Sequence, residues 1–353
     1  MAEQQTVSPN GFASVSVYWI GHSLINTKVQ TEEGTIDLMS LVSSFAKTRG
    51  LDYAMGDHTF SGIPLSAQWR GKPHSYERDA SEMVSKREAF EREAGRYDTV
   101  VLTEALPLQA SFANEFSTYY LRKFYCTIKQ ANPAARVFLY ESWINLHGTD
   151  PYAGYPPMHE FDWGAEMVAQ RGRWEALADG ALQPRVPQPG WLARLGLTSM
   201  TDGGCVPKDP ILIVPVGQAL ISLRDRLAEP RPGDRFDLPD GRRLAFSDLF
   251  ENPYVNWPRN WPTRNANADE LEAQRQALVL RDPTRPLDDI HPTAIGIYMS
   301  ALVHFATLYG QNPVGLSAPS FLGEPLAETL QCIAWETVVS TARSGVEGEA
   351  RCG

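Results

Sequence analysis

The sequence predicts an α/β fold with a mainly parallel sheet covered by helices on both faces. Strand-like apolar runs alternate along the chain with segments of helical periodicity. The runs are apolar along their whole length rather than at every second residue, which is typical of strands buried on both faces. The chain has 353 residues and is 43% hydrophobic, enough apolar material for one such domain.

Four segments are predicted as core strands because they are rich in β-branched and aromatic residues. They are residues 14–20, 98–102, 136–140 and 211–216. Four further segments are predicted as helices because apolar residues recur in them every three or four positions. These are residues 37–47, 114–130, 218–227 and 293–309.

We expect a single domain over residues 12–312, followed by a C-terminal helix and tail over residues 313–353. Two long insertions, residues 150–205 and 229–285, interrupt the alternation. The first is rich in Pro, Gly and Trp, and the second contains a predicted hairpin at Pro239-Asp240-Gly241. Insertions of this kind either build the walls of a substrate site or cover the edge of the sheet, and both alternatives stay open.

The charge balance argues against a nucleic-acid partner. The formal net charge is -10, whereas binding to a polyanion needs clustered Lys and Arg. No apolar stretch approaches the ~20 residues of a membrane-spanning helix. The oligomeric state is not predicted.

Cysteine usage and the N-terminus bear on the cellular compartment. Four cysteines without CxxC spacing make a zinc site unexpected and leave one or two disulfides of open pairing. The polar N-terminus has no signal peptide, which fits a cytosolic protein and also a mature secreted chain with an added initiator Met. The Ala2-Glu3-Gln4-Gln5 start slightly favours a secreted or periplasmic protein.

Two short motifs at opposite ends of the chain contain the residues of a hydrolytic site. Gly21-His22-Ser23-Leu24 follows the first predicted strand, and residues 288–292 (DDIHP) precede the last core helix. Ligands of open parallel sheets bind at the carboxyl ends of the strands, where Ser23 falls. Its hydroxyl is a candidate nucleophile and its N–H a candidate oxyanion donor, although Ser is also a common helix N-cap here.

A serine nucleophile needs a base, which is usually a His held by a carboxylate. Asp288 and His291 are three residues apart and can meet within one turn, so Asp288 rather than Asp289 is the expected partner. The alternative is a surface turn with an incidental histidine. The chain order and the strand-terminal Ser23 favour the catalytic interpretation, which needs no metal and no organic cofactor.

These residues resemble the SGNH (GDSL-like) hydrolase superfamily. Gly21-His22-Ser23-Leu24 is similar to its first block, with His where many members have Asp, and residues 288–292 are similar to its fifth block. The resemblance runs from about residue 15 to residue 310, with the insertions outside it. It implies a flavodoxin-like three-layer α/β/α fold and a triad of Ser23, His291 and Asp288. It also implies an oxyanion hole formed by the Ser N–H, a Gly N–H and an Asn side chain.

Two further blocks concern the oxyanion hole. The Gly of the second block is matched by Gly62, which either approaches substrate closely or is a plain loop glycine. At the third block the chain reads Thr103-Glu104 where the family usually has Gly-x-Asn-Asp. Thr103 is the candidate replacement donor, and Glu104 either contacts substrate or holds a neighbouring loop. The third donor matters because losing one typically costs ~10²–10³ in rate.

Aromatic and histidine side chains complete the candidates. Four tryptophans near the mouth of the predicted site either stack on sugar rings or belong to the core, and the sequence does not favour one of these alternatives. They are Trp69, Trp143, Trp257 and Trp261. His22 is expected to fix the turn. His58 and His74 flank the Gly62 loop and are possible substrate contacts. His147 and His159 border the first insertion, but their spacing does not support a metal site.

The functional hypothesis is a carboxylic-ester hydrolase that removes short acyl groups, such as acetyl, from a carbohydrate or related metabolite. An acyltransferase would use the same residues and differ only in the acceptor. The alternative from another class is a catalytically weak carbohydrate-binding protein that keeps the fold, which the missing third-block Asn favours. The combination of Ser23, Asp288 and His291 favours the enzyme.

Overall fold

The computed structural model describes residues 11–72, 80–148, 161–183, 186–187, 199–200, 205, 208–256, 269, 273 and 276–350. Within them a five-stranded, wholly parallel sheet forms the centre of the molecule. The strands, in chain order, are β1 (Ser14–Gly21), β2 (Val29–Thr31), β3 (Gly34–Ile36), β4 (Asp52–Thr59), β5 (Thr99–Leu102), β6 (Arg136–Tyr140), β7 (Val186–Pro187), β8 (Ser199–Met200), β9 (Leu212–Val214), β10 (Phe250–Asn252) and β11 (Asp288–Pro292).

Helices cover the sheet on both faces. In chain order they are α1 (Ser23–Asn26), α2 (Leu38–Thr48), α3 (Leu65–Arg70), α4 (Ala80–Glu93), α5 (Leu108–Asn114), α6 (Ser117–Ala131), α7 (Trp163–Leu182), α8 (Val216–Ala228), α9 (Ala294–Tyr309) and α10 (Glu324–Ser340). Short 3₁₀ turns occupy Ala94–Arg96, Phe246–Leu249 and Ala342–Ser344.

The alternating side chains of β1 show how the layers form. Val17 and Trp19 point to one face and pack in a core with α2, α8, α9 and α10. Tyr18 and Ile20 point to the other face and pack with α3, α4, α6 and α7. All are buried, as expected for a parallel strand with helices above and below. The predicted three-layer α/β/α fold is therefore confirmed.

The strand order places a ligand crevice beside β1. The sheet runs β4-β1-β5-β6-β9, the flavodoxin-like order in which the chain first moves to one side of β1 and then to the other. The loops that leave β1 and β5 therefore diverge and open a gap at their carboxyl ends. Ser23 follows β1, and Thr103 and Glu104 follow β5, so all three lie at this switch point.

Some elements differ from the sequence-based expectation. The edge strand β4 was not predicted, yet it pairs with β1 from Ser14↔Asp52 to Gly21↔Thr59. The helix expected over residues 114–130 is confirmed as α6, which begins at Ser117 because Phe116 before it adopts a left-handed conformation with φ 54°. The helix α5 that precedes it was not predicted. Part of the first expected insertion is the 20-residue helix α7, which packs against α6 and α8.

The second insertion and the C-terminal segment contribute regular structure. The predicted hairpin is present: Leu244 N–H donates to Phe236 O at 2.7 Å, and Gly241 takes a φ of 79° at its tip. α10, C-terminal to the expected domain, packs along α9 and belongs to the larger core.

One disulfide settles a pairing that the sequence left open. Cys126 of α6 is bonded to Cys205, 79 residues further along the chain. Arg122, one turn before Cys126, donates to the carbonyl of Cys205 at 2.5 Å. Cys332 is also disulfide-bonded. The first insertion is thereby fastened to α6 at Cys205.

Candidate active site

The turn that presents Ser23 is enforced by Gly21. A side chain at Gly21 would place its Cβ 2.5 Å from Cγ2 of Thr103 and 2.8 Å from Cδ1 of Ile25, so a larger residue would force these side chains to shift. His22 then caps α1, whose Leu24 and Ile25 are buried. Ser23, at the first position of α1, is half-buried. The chain thus leaves β1 with the Ser23 side chain at the switch point.

His22 holds this turn and cannot act as the base. Its Nε2 donates to the carbonyl of Glu104 at 2.9 Å, and its Nδ1 accepts from Leu24 N–H at 3.5 Å. Burial, with a smaller contribution from the charge of His291, lowers the pKa of His22 to about 4, although the hydrogen bond to Glu104 opposes this shift. The ring is therefore neutral near pH 7, with both nitrogens engaged, and it ties the β1 turn to the β5 loop.

Asp288 and His291 form the hydrogen-bonded pair that their spacing predicts. The Asp288 carboxylate oxygens lie 3.0 and 3.1 Å from Nδ1 of His291, and one of them also accepts from His291 N–H at 3.1 Å. With Nδ1 donating to the carboxylate, the imidazole Nε2 carries the lone pair that a base needs. The two side chains are 28% and 36% exposed, so the pair is accessible from solvent.

The charges of this pair support each other. The hydrogen bond to Asp288 raises the pKa of His291 above 6.5, against the lowering effect of burial. Burial alone would raise the pKa of Asp288, but hydrogen bonding and attraction to His291 outweigh it and hold that pKa below 3.8. Asp288 is therefore ionised at neutral pH and stabilises a proton on His291.

The strand that carries this pair lies next to the serine. β11 packs against α1, which begins with Ser23. Among the described residues the Ser23 hydroxyl has no hydrogen-bond partner. Hydrogen bonds between nucleophile and base are often long without substrate and tighten when it binds.

Asp289 has a different role from its neighbour. It is buried, and its two oxygens accept from Asn145 Nδ2 at 2.8 Å and His147 N–H at 2.9 Å. Leu146 N–H donates to its carbonyl at 3.0 Å. Trp143 adds a bond from Nε1 to the carbonyl of Ile290 at 2.7 Å. The loop after β6 is thus fastened to the strand that carries His291, a connection that sequence reasoning missed.

The Gly62 turn follows the edge strand β4. Gly62 has a φ of 70°, a conformation that favours glycine, and is exposed. Ile63 N–H closes the turn on Phe60 O at 3.2 Å, and Ser61 Oγ donates to Asn26 Oδ1 of α1 at 3.2 Å. No described residue accepts from the N–H of Gly62 or of Ser23, so both amides are available to a ligand.

Thr103 has a different hydrogen-bond partner from the expected one, and burial decides between the two alternatives for Glu104. Thr103 is buried and donates its one hydroxyl proton to Tyr140 O at 3.1 Å, so that proton is not available to an oxyanion. Glu104 is also fully buried, which excludes contact with substrate. Its Oε1 accepts from Leu65 N–H at 3.1 Å and Ala105 N–H at 2.7 Å. Glu104 thus holds the loops, the alternative left open above.

Burial also changes the interpretation of several aromatic residues. Trp143 is 1% exposed and cannot stack on a sugar. Trp69 is half-buried and packs edge-on against Phe124, with ring centroids 5.0 Å apart. His58 is buried with its ring edge-on to Phe60 and Phe124, which excludes contact with substrate. The remaining candidates lie outside the described residues: Trp257, Trp261, His74 and His159.

The described residues contain no group of three or more His, Cys, Asp or Glu side chains that could hold a metal ion. His147 accepts from Tyr254 N–H at 3.1 Å through Nε2. No described helix is long and apolar enough to cross a membrane.

Comparison with known proteins gives low similarity in sequence and structure. No family model matches the sequence, and no curated protein matches it. Similar solved structures include a DUF4886 family protein from Bacteroides uniformis, 13% identical with a TM-score of 0.49, covering 92% of this chain and 95% of that one.

Two further structures carry names that describe an activity. An acetyl xylan esterase from Geobacillus stearothermophilus is 12% identical with a TM-score of 0.33, covering 67% of this chain and 89% of that one. A lipopolysaccharide acetyltransferase periplasmic domain from Salmonella ser. Paratyphi A is 14% identical with a TM-score of 0.30, covering 58% and 74%.

Proposed function

We propose that this protein is a serine esterase that hydrolyses carboxylic esters, with Ser23 as nucleophile, His291 as base and Asp288 as its carboxylate partner. The observation that carries the proposal is the Asp288–His291 hydrogen bond at 3.0 Å, on a strand packed against the helix that begins with Ser23. A half-exposed serine at the switch point of a parallel sheet, beside an oriented histidine, is the arrangement that nucleophilic acyl transfer requires.

The first half-reaction forms an acyl-enzyme. Ser23 Oγ attacks the ester carbonyl carbon while Nε2 of His291 takes the hydroxyl proton. The carbonyl oxygen becomes an oxyanion, which the N–H groups of Ser23 and Gly62 stabilise. The bond to the alcohol oxygen then breaks, and His291 returns its proton to the leaving alcohol. Ionised Asp288 stabilises the imidazolium throughout.

The second half-reaction regenerates the enzyme. A water molecule attacks the acyl carbon, and His291 takes one of its protons. The bond between the acyl carbon and Ser23 Oγ breaks, Ser23 regains its proton from His291, and the carboxylic acid leaves. If a sugar hydroxyl replaces water in this step, the same residues transfer the acyl group to the sugar.

We propose a short acyl group, such as acetyl, on a carbohydrate or related metabolite. A long acyl chain needs an exposed apolar surface beside the nucleophile. Four large apolar side chains of the described residues are more than half exposed, and none belongs to α1 or β11; they are Met55, Val168, Val255 and Val279. Because α1 and β11 present no such surface among the described residues, we favour a small acyl group.

A panel of p-nitrophenyl esters from acetyl to octanoyl, run beside acetylated oligosaccharides, tests this proposal. We expect the highest kcat/KM with the acetyl ester, together with acetate release from the oligosaccharides. Acetylated acceptor in the presence of an added sugar would instead identify a transferase. Sugar binding without turnover of any ester would overturn the proposal and favour a carbohydrate-binding protein.

A further inference from the structure

We propose that Gln68 is a positioning residue that fixes the distance between the two turns presenting the N–H groups of Ser23 and Gly62. The inference deepens the esterase proposed above and rests on it. Gln68 lies in α3 and is fully buried. Its side-chain nitrogen donates to the carbonyl of Gly21 at 3.0 Å and to the carbonyl of Ile63 at 2.9 Å.

The two carbonyls belong to the two segments that must cooperate. Gly21 precedes Ser23 by two residues, and Ile63 follows Gly62 directly. Both protons of one amide nitrogen are used, so Gln68 joins the segments through a single atom. Each acceptor is a carbonyl oxygen, which identifies the bonded end of the side chain as its nitrogen.

The Gly62 turn has few other constraints. Its tip is exposed, and an added Cβ at Gly62 would contact nothing within 4 Å. Other anchors close to the tip are the turn bond from Ile63 N–H to Phe60 O, the bond from Phe60 N–H to Gly21 O at 2.8 Å, and the contact of Ser61 with Asn26. The serine turn is held from its other side by His22 and Glu104. Gln68 therefore adds a side-chain link that bonds to both segments through one nitrogen.

The cost of burying this amide argues for a role beyond packing. Gln68 Oε1 is buried and has no partner among the described residues. An unsatisfied buried polar atom costs stability, and an apolar side chain of similar length would avoid that cost. Oxyanion donors work only within a narrow distance, about 2.7–3.1 Å from the oxygen, so a fixed spacing between the turns contributes directly to rate.

The test is Gln68→Met, which keeps the length of the side chain and removes both donors. Because a displacement of about 1 Å can cost ~10²-fold in rate, we expect kcat to fall by about 10- to 100-fold, with KM within about twofold. Affinity for phenylboronic acid, which bonds to a serine and places an oxygen in the oxyanion hole, should fall by the same factor as kcat/KM.

Gln170→Met is the matched control. Gln170 is also fully buried, donates twice through Nε2 to Gln109 at 3.0 Å and Glu166 at 3.2 Å, and has an unpartnered Oε1 among the described residues. It lies in α7, away from both turns. We expect it to lose a similar amount of thermal stability and to keep wild-type kcat and boronate affinity.

Wild-type kcat and boronate affinity in folded Gln68→Met, or an equal loss of kcat in both variants, would overturn the inference. If Gln68→Met does not fold, Gln68→Asn, which retains the amide on a shorter arm, should show the same loss of kcat at constant KM, and unchanged kcat would again overturn it. Ser23→Ala separates the two proposals. If Ser23→Ala and Gln68→Met both retain activity, the esterase mechanism fails. If Ser23→Ala is inactive while Gln68→Met keeps wild-type kcat, only the role of Gln68 fails.

Discussion

Asp288 faces His291 from three residues earlier in the same strand, with its two carboxylate oxygens 3.0 and 3.1 Å from the imidazole Nδ1. The contact fixes the tautomer of His291 and directs Nε2 away from Asp288. It also raises the pKa of His291. Both consequences can be measured.

The raised pKa predicts the direction of the pH dependence. His291 must be neutral to take a proton, so kcat/KM should rise with pH through a pKa above 6.5 and then level off. Asp288→Asn removes the charge that raises this pKa, so the inflection should move to lower pH while kcat falls by about 10⁴-fold. A pH–rate profile of both proteins checks this. An inflection that stays in place in Asp288→Asn would contradict the assignment.

Asp289→Asn should affect folding more than chemistry. The substitution puts an NH₂ group where a carboxylate oxygen now accepts from Asn145 or His147. One buried bond is lost, so we expect the free energy of unfolding to fall by about 2 kcal/mol. The loss of kcat, measured below the melting transition, should be far smaller than in Asp288→Asn. Equal losses of kcat in the two variants would contradict the distinct roles of these aspartates.

Glu141 predicts a pH dependence of stability away from the site. Burial raises the pKa of Glu141 to about 7, while the hydrogen bond from Gln218 lowers it. The folded state therefore holds this proton more tightly than the unfolded chain, and the stabilisation, complete below pH 4.5, is lost as the pH rises from 4.5 to about 7. Glu141→Gln cannot titrate, so its melting temperature should fall less between pH 5 and pH 8, as thermal melts can show. An equal fall in melting temperature between pH 5 and pH 8 in the wild type and Glu141→Gln would contradict this role of Glu141.

The Cys126–Cys205 disulfide should stabilise the fold without contributing to catalysis. It closes a loop of 79 residues, for which the chain-entropy model gives about 4.5 kcal/mol. We expect the double variant Cys126→Ser/Cys205→Ser to melt at least about 5 °C lower and to keep wild-type kcat at low temperature. An unchanged melting temperature would contradict this stabilising role.

Much of the fold could be predicted because its signals are local. β1, β5, β6 and β9 are short apolar runs, and α2 has clear helical periodicity. β4 was missed because an edge strand is partly exposed, and its sequence DYAMGDHT has no continuous apolar run. α7 was missed because Gly164, Gly172 and Gly180 disguise its helical pattern.

The candidate site likewise has local contacts that could be predicted from the sequence and long-range contacts that could not. The Asp288–His291 contact spans three residues and can be predicted from spacing. The bonds from Asn145 to Asp289 and from Gln68 to Gly21 span 144 and 47 residues, and no local pattern announces them. The oxyanion role expected for Thr103 failed, and the choice between sugar stacking and core packing for Trp143 could not be made from sequence, because burial and the partners of a hydrogen bond are set by tertiary packing.

Ser23→Ala assayed with p-nitrophenyl acetate tests the central claim most directly, with Ser44→Ala on the exposed face of α2 as the control. The account predicts that Ser23→Ala is folded, that its kcat falls by at least about 10³-fold, and that Ser44→Ala retains wild-type kcat. Turnover by Ser23→Ala within about tenfold of the wild type would show that Ser23 is not the nucleophile, and would contradict the account.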